Sequence, residues 1–156
     1  MPRISAGILL YRAAPAGPEV LLVHPGGPFW KNKDEGAWTI PKGEVAPNEE
    51  LEATARREFA EELGAAPPAD LVPLAPVKQK GGKLVHAFAA KGDLDTSAFK
   101  SNAFTVEWPP RSGKFATFPE VDRAEWFDLG TARLKINAAQ TAFLDELQRI
   151  AATESL

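Results

Sequence analysis

Three glutamates, Glu58, Glu61 and Glu62, follow Arg57 in the stretch REFAEEL. On a helix, positions 58, 61 and 62 are related by i, i+3 and i, i+4 spacing and fall within an arc of roughly 100° on one face. Like charges at that spacing repel by about a few tenths of a kcal/mol per pair. A hard divalent cation would reverse the sign of the interaction. Oxygen donors with no Cys or His beside them favour Mg²⁺ or Mn²⁺ over zinc. The same carboxylates would also suit a solvated acidic helix face, and spacing alone leaves both readings open.

The element that must carry them is a helix over residues 49–63. Asn48 is a good N-cap, and Glu49 and Glu50 suit the positive end of the helix dipole. Gly64, with Pro67 and Pro68 beyond it, closes the helix. Leu51, Phe59 and Leu63 form an apolar flank beside the carboxylates, so one side packs while the other stays accessible. Arg57 precedes Glu61 by four residues, close enough to pair with it and hold it in position. Glu49 lies nine residues before Glu58, on the opposite face of a continuous helix. It reaches the carboxylates only from a preceding loop or a frayed first turn.

The rest of the chain reads as strands. ISAGILLYR (4–12) and EVLLVH (19–24) are apolar runs separated by Pro15, Gly17 and Pro18, which predicts two strands and a loop. His24 ends the second run and is given no catalytic role. The loop PGGPFWKNKDEGAW places Phe29, Trp30 and Trp38 near Lys31 and Lys33. Aromatic rings beside cations can stack a base and hold its phosphates. Trp30 and Trp38 are therefore candidate substrate contacts, although packing suits Trp38 slightly better. Trp38 to Ile40 reads as a short strand ending at Pro41.

Further on, 71–79 is extended and interrupted by Pro73 and Pro76, as at a sheet edge. Residues 83–90 form a better strand, reached through a Gly81-Gly82 turn. Lys78, Lys80 and Lys83 near that turn read as solvated. Residues 91–103 form a polar, turn-rich segment, the best candidate for a flexible loop. Strands are expected at 104–108 and 125–129, with Arg111, Lys114 and Glu120 on the loop between them. Asn137 caps a last helix in which Phe143, Leu144, Leu147 and Ile150 recur at helical spacing. The pattern predicts an α/β fold, a mixed sheet covered by helices.

Composition narrows the possible functions. A chain of 156 residues fits a single domain over 1–156, and 44% hydrophobic with 25% charged residues is ordinary for a globular protein. A net charge of -3 provides no electrostatic footprint for duplex nucleic acid. The absence of cysteine removes thiolate nucleophiles, disulfides and Cys-type zinc sites. No apolar run reaches signal-peptide or membrane-spanning length, so a cytoplasmic protein without a membrane partner is expected.

The 23 residues from Gly43 to Ala65 resemble the Nudix hydrolase family, of MutT-like type. The family pattern G-x5-E-x7-R-E-U-x-E-E-x-G-U is met by Gly43, Glu49, Arg57, Glu58, Phe59, Glu61, Glu62, Gly64 and Ala65. Phe59 is bulkier, and Ala65 smaller, than the aliphatic residues usual at those positions. The resemblance implies a Nudix-type α/β/α sandwich with a mixed β-sheet, the motif helix and a C-terminal packing helix. It also implies a Mg²⁺-dependent pyrophosphohydrolase, with Mn²⁺ as the other acceptable ion. The substrate it implies is a nucleoside diphosphate linked to another moiety, a nucleoside triphosphate or a dinucleoside polyphosphate, and a monomer or homodimer is expected. The alternative is a non-catalytic nucleotide-binding sensor module of the same fold.

Carried over by position, Glu58, Glu61 and Glu62 match the metal-binding glutamates. Arg57 matches the residue that orients them, and Glu49 the assisting glutamate from the loop side. The backbone carbonyl of Lys42 and the side chain of Glu120 match further metal ligands of some members. Glu58 is the expected base, with Glu62 as the alternative. Lys42, Arg111 and Lys114 are expected phosphate contacts. The fragment WTIPKGEV loosely resembles the diadenosine polyphosphate hydrolase branch, whose later tyrosine has no counterpart at Gly81, Gly82 or Lys83.

Overall fold

The computed structural model of the chain describes residues 3–154. The two predicted apolar runs form β1 (Ile4–Arg12) and β2 (Glu19–Pro25). Near-continuous burial along both marks strands covered on both faces. Alternation divides their side chains: Leu9, Tyr11, Val20 and Leu22 enter one core, while Ala6, Ile8, Leu10, Leu21 and Val23 enter a second.

β1 and β2 pair beside their connecting turn, at Tyr11↔Val20 and Arg12↔Glu19, and then diverge. The chain from Thr39 fills the gap. Thr39 exchanges backbone hydrogen bonds of 2.9 and 3.0 Å with Val23, and the Pro41 carbonyl accepts from Ile8 at 3.1 Å. β3 (Lys42–Glu44) then runs antiparallel to Ser5, Ala6 and Gly7. This wedge requires glycine at position 7, where a Cβ would lie 2.2 Å from the Pro41 carbonyl oxygen.

On the other edge of β1, β6 (Leu84–Lys91) runs parallel from Ile4↔Leu84 to Tyr11↔Lys91. The short β4 (Val72–Pro73) and β5 (Val77–Lys78) pair antiparallel with β6, as the prolines and the Gly81-Gly82 turn predict. β9 (Val121–Asp128) lies antiparallel on β2, giving a seven-stranded mixed sheet with five strands in the order β4-β6-β1-β2-β9 and two more, β3 on β1 and β5 on β6, beside that path. α1 (Leu51–Leu63) packs Ala55, Phe59 and Leu63 on one face of the sheet. α2 (Leu129–Lys135) and α3 (Thr141–Glu154) pack Ala132, Phe143, Leu144 and Leu147 on the other. The result is the expected α/β/α sandwich. No described helix is long and apolar enough to cross a membrane.

Several local expectations are corrected. The motif helix begins at Leu51 rather than 49, because Asn48 adopts a left-handed φ of 64° and Glu50 takes the cap position without a side-chain bond. Trp38 to Ile40 forms isolated bridges, Val23↔Thr39 and Trp38↔Ile136, instead of its own strand. The loop expected after Lys114 contains a strand, β8 (Phe115–Pro119), which pairs with β7 (Ala103–Glu107) as a separate two-stranded hairpin. Leu129 starts α2 instead of ending a strand, since the Asp128 carboxylate accepts from the Thr131 N–H at 2.8 Å and caps the new helix. Asn137 does act as a cap, but of a 3-10 turn (Ala138–Gln140) that runs into α3.

Candidate active site

α1 presents Glu58 and Glu62 toward the wedge strand β3, and Glu120 arrives from the junction of β8 and β9. One carboxylate oxygen from each of the three lies within 4.8 Å of the others. Glu61 stays outside this trio and accepts from Arg57 Nη1 at 3.3 and 3.4 Å. The room for Glu58 is made by Gly43, whose missing side chain leaves the space that the carboxyl occupies.

Arg57 is the hub of the motif. Its Nε and Nη2 each donate at 2.9 Å to the two oxygens of Glu49, a bidentate pair, and its Nη1 donates to Glu58 at 2.9 Å. The i, i+4 partner Glu61 is the more distant one. Glu49 sits in the turn before α1, where it also accepts from the Thr54 hydroxyl at 2.6 Å and the Ala46 N–H at 3.1 Å. These bonds, led by Arg57, hold its carboxyl at a pKa of about 2.

The trio shows the opposite electrostatics. Burial raises the Glu58 carboxyl above its ordinary value, and repulsion from Glu61 adds to the shift. Burial also raises Glu62, more strongly, with Glu58 next in effect. Glu120 is raised by desolvation and then by Glu61. Lys42, at the start of β3, has its ammonium pushed down to about 8 by burial, then by neighbouring Lys83, while Glu62 and Glu58 oppose the shift. A crowded, partly desolvated set of oxygen donors with one shared guanidinium has the chemistry of a hard divalent cation site.

Glu120 is placed by backbone rather than side-chain bonds. Its N–H donates to the Asn102 carbonyl at 2.8 Å, the Asn102 N–H donates to the Glu61 carbonyl at 3.0 Å, and the Glu120 carbonyl accepts from Gly26 at 2.9 Å. A chain of peptide groups thus ties the end of α1 to the hairpin base and to the loop after β2. No side-chain pattern in the sequence could have revealed Asn102, which acts through its peptide group.

The remaining expected contacts lie elsewhere. Trp38 is corrected to a core residue: it is 1% exposed, meets Phe127 and His24 edge-to-face, and donates from Nε1 to Asp34 at 2.8 Å. Both faces of its ring are enclosed by protein, Arg123 included, so no base can stack on it. Arg111 and Lys114 are exposed in the turn joining β7 to β8, at the end of the hairpin remote from Glu120. Trp30 is 38% exposed on the loop after β2. His24, a plain strand end in the sequence, is fully buried between Asp122 and the Lys33 carbonyl.

A model of the NUDIX domain family matches residues 1–147, and the chain belongs to that family. Membership supports a pyrophosphohydrolase of the Nudix hydrolase class. Solved structures of similar fold include the Ap4A hydrolase of C. elegans in a binary complex, at 23% identity and a TM-score of 0.68 over 96% of this chain and 98% of that one. A mutT/nudix family protein from Listeria innocua matches at 19% identity and 0.65, over 99% and 97%. The NUDIX domain of Shewanella oneidensis NrtR complexed with ADP ribose matches at 18% and 0.63, over 96% and 87%. No curated protein sequence matches the chain significantly.

Proposed function

We propose that the protein is a Mg²⁺-dependent hydrolase of the diphosphate linkage in a nucleoside triphosphate or dinucleoside polyphosphate. The observation that carries this reading is the approach of Glu58, Glu62 and Glu120 to within 4.8 Å of one another, beside Arg57. Glu58, Glu61, Glu62, Glu120 and the Lys42 carbonyl would hold the ion, with Mn²⁺ the other cation that suits such donors. When bound, the ion neutralises diphosphate oxygens and lowers the pKa of water.

Glu58 is the general base. Arg57 fixes one of its oxygens at 2.9 Å, which leaves the other to accept a proton, and a raised pKa brings a carboxylate closer to the working pH. Glu62, which is more deeply buried, is the alternative base. Arg57 and Glu49 hold the geometry as a locked pair. Lys42 meets the phosphates next to the cluster, with Arg111 and Lys114 reaching only more distant ones. The Ap4A hydrolase and the ADP-ribose complex among the similar folds support a nucleotide-type diphosphate as substrate.

Wild type and Glu58→Gln should be assayed with Mg²⁺ against nucleoside triphosphates, dinucleoside polyphosphates, nucleotide sugars and ADP-ribose. Metal-dependent cleavage of at least one compound, lost in the variant, is the expected outcome. Tight nucleotide binding without product would instead identify the sensor module.

A further inference from the structure

β9 does not follow β2 in one unbroken register. From Glu19↔Asp128 to His24↔Arg123 the partners step evenly, but the next pair is Pro25↔Val121, so Asp122 is an extra residue on the β9 side. A bulge of this kind leaves its extra residue unpaired in the ladder and bends the strand that carries it. In unbroken register Val121 would turn to the opposite face of the sheet. With the bulge it is 3% exposed in the core beneath α1, and Glu120 is its neighbour in the chain.

What holds the bulge is His24. Its ring is fully buried and meets Trp38 edge-to-face at 5.2 Å and 65°. Nδ1 contacts the Asp122 carboxylate at 2.8 Å, and Nε2 contacts the Lys33 carbonyl at 2.6 Å. The Arg123 guanidinium lies 5.0 Å from the Trp38 ring, so both residues of the bulge turn to the face that carries His24. Burying a polar ring in an apolar core costs free energy unless its nitrogens are paired. Here the partners belong to the two segments that flank the Glu120 carboxylate.

A backbone bond closes the circuit. The Gly26 N–H donates to the Glu120 carbonyl at 2.9 Å, and a Cβ on Gly26 would come within 2.0 Å of the Pro119 carbonyl oxygen. His24 stands on both sides of that bond: it precedes Gly26 by two residues, and through Asp122 it holds the chain two residues beyond Glu120.

We infer that His24 is a positioning residue for the metal site: by fixing the Asp122 bulge it sets where the Glu120 carboxylate meets those of Glu58 and Glu62. This rests on the hydrolase reading above, in which Glu120 holds the ion, and adds a residue that touches neither ion nor substrate.

The test is calorimetric titration of Mn²⁺ alone into wild type, Glu120→Gln, His24→Phe, His24→Asn, His24→Gln and the double variant Glu120→Gln/His24→Phe, each checked for folding by circular dichroism. Phenylalanine keeps a ring against Trp38 and removes both polar bonds. An asparagine amide places an N–H donor where Nδ1 lies, and a glutamine amide places one where Nε2 lies. These two variants separate the link to Asp122 from the link to Lys33. His24→Phe and His24→Gln should weaken Mn²⁺ binding by about tenfold, as loss of a group supporting a metal site does, while His24→Asn should stay within about threefold of wild type. The double variant should bind no more weakly than Glu120→Gln alone, because His24 acts through Glu120. A lower Tm in all three His24 variants with Mn²⁺ affinity unchanged would make the histidine a core residue and overturn the inference, leaving Glu120 in the site. An equal loss in His24→Asn, or losses that simply add in the double variant, would overturn it too. If wild type binds no Mn²⁺, or Glu120→Gln binds it as wild type does, Glu120 holds no ion, and the inference falls together with that part of the hydrolase reading. Should His24→Phe not fold, Asp122→Ala takes its place with the same expected loss, since it leaves the histidine in the core.

Discussion

The carboxyl carbon of Glu58 lies 2.0 Å from the point where a Cβ on Gly43 would stand, with both carboxylate oxygens within 2.3 Å of that point. The motif glycine therefore has a side-chain reason: its bare Cα forms the floor beneath the candidate base. Gly43→Ala should displace Glu58, destabilise the fold by about 1–3 kcal/mol through overpacking, and lower kcat by about 100-fold. Adding Glu58→Ala should return part of the lost stability, because the two side chains then no longer compete for one space. Denaturant titration of the single and double variants measures that coupling.

Glu62 and Glu58 have folded pKa values above the ordinary 4.5. The metal-free folded state therefore binds more protons than the unfolded chain just above that pH, and its stability falls as pH rises from about 4.5 upward. Thermal melts in chelator should show Tm declining as pH rises above about 5, and added Mg²⁺ should raise Tm more once the carboxyls are ionised than at acidic pH. Glu62→Gln should flatten the chelator profile and shrink the Mg²⁺ response together.

Arg57 spreads one guanidinium over Glu49 and Glu58 with bonds of 2.9 Å. Lysine cannot reproduce a bidentate fork, so Arg57→Lys should reduce kcat by roughly 10- to 100-fold with KM little changed. The Glu49 pair also marks the acid limb. Its contribution is complete above the unfolded carboxylate pKa of 4.5 and disappears as pH falls through the folded value of about 2. Acid unfolding of Arg57→Lys should therefore begin at a higher pH than in wild type.

Glu120 comes from outside the motif helix and completes the trio. Glu120→Gln should weaken Mg²⁺ activation by roughly 10- to 100-fold, the scale seen when groups supporting a metal site are altered, and excess metal should recover much of the rate. Glu58→Gln should show no such recovery. Rate against Mg²⁺ concentration separates the two cases.

The two tryptophans flanking the 31–37 segment should respond differently. Trp38, 1% exposed in the core, should lose about 3–5 kcal/mol on replacement by alanine. Trp30, 38% exposed, should stay within about 0.5 kcal/mol of wild type, as surface positions do. Chemical denaturation of Trp38→Ala and Trp30→Ala provides the comparison.

What could be read from the chain follows from where its physics is local. β1, β2 and the bulk of α1 were legible because apolar continuity and the Gly64 stop act within a few residues, and the motif carboxylates because their spacing is itself the signal. The start of α1 was not, since Asn48, an acceptable cap by type, is committed to a left-handed turn that brings Glu49 under Arg57. β8 and α2 were obscured by tertiary context: FATFP becomes a strand only by pairing with β7, and α2 depends on the Asp128 cap. Glu120 was named from family likeness, whereas its placement depends on peptide groups of Asn102 and Gly26 that any residue type could supply.

Among the described residues, β7 and β8 pair only with each other, while Asn102 and Glu120 at their base are bonded to the rest of the fold. The hairpin is thus a detachable arm on a fixed shoulder. Residues between the two anchors can be lengthened, shortened or recomposed without changing the register of the seven-stranded sheet or the reach of the glutamate. The carboxylate trio and the arm beyond it therefore belong to separable pieces of chain, so the arm can vary while the trio is conserved.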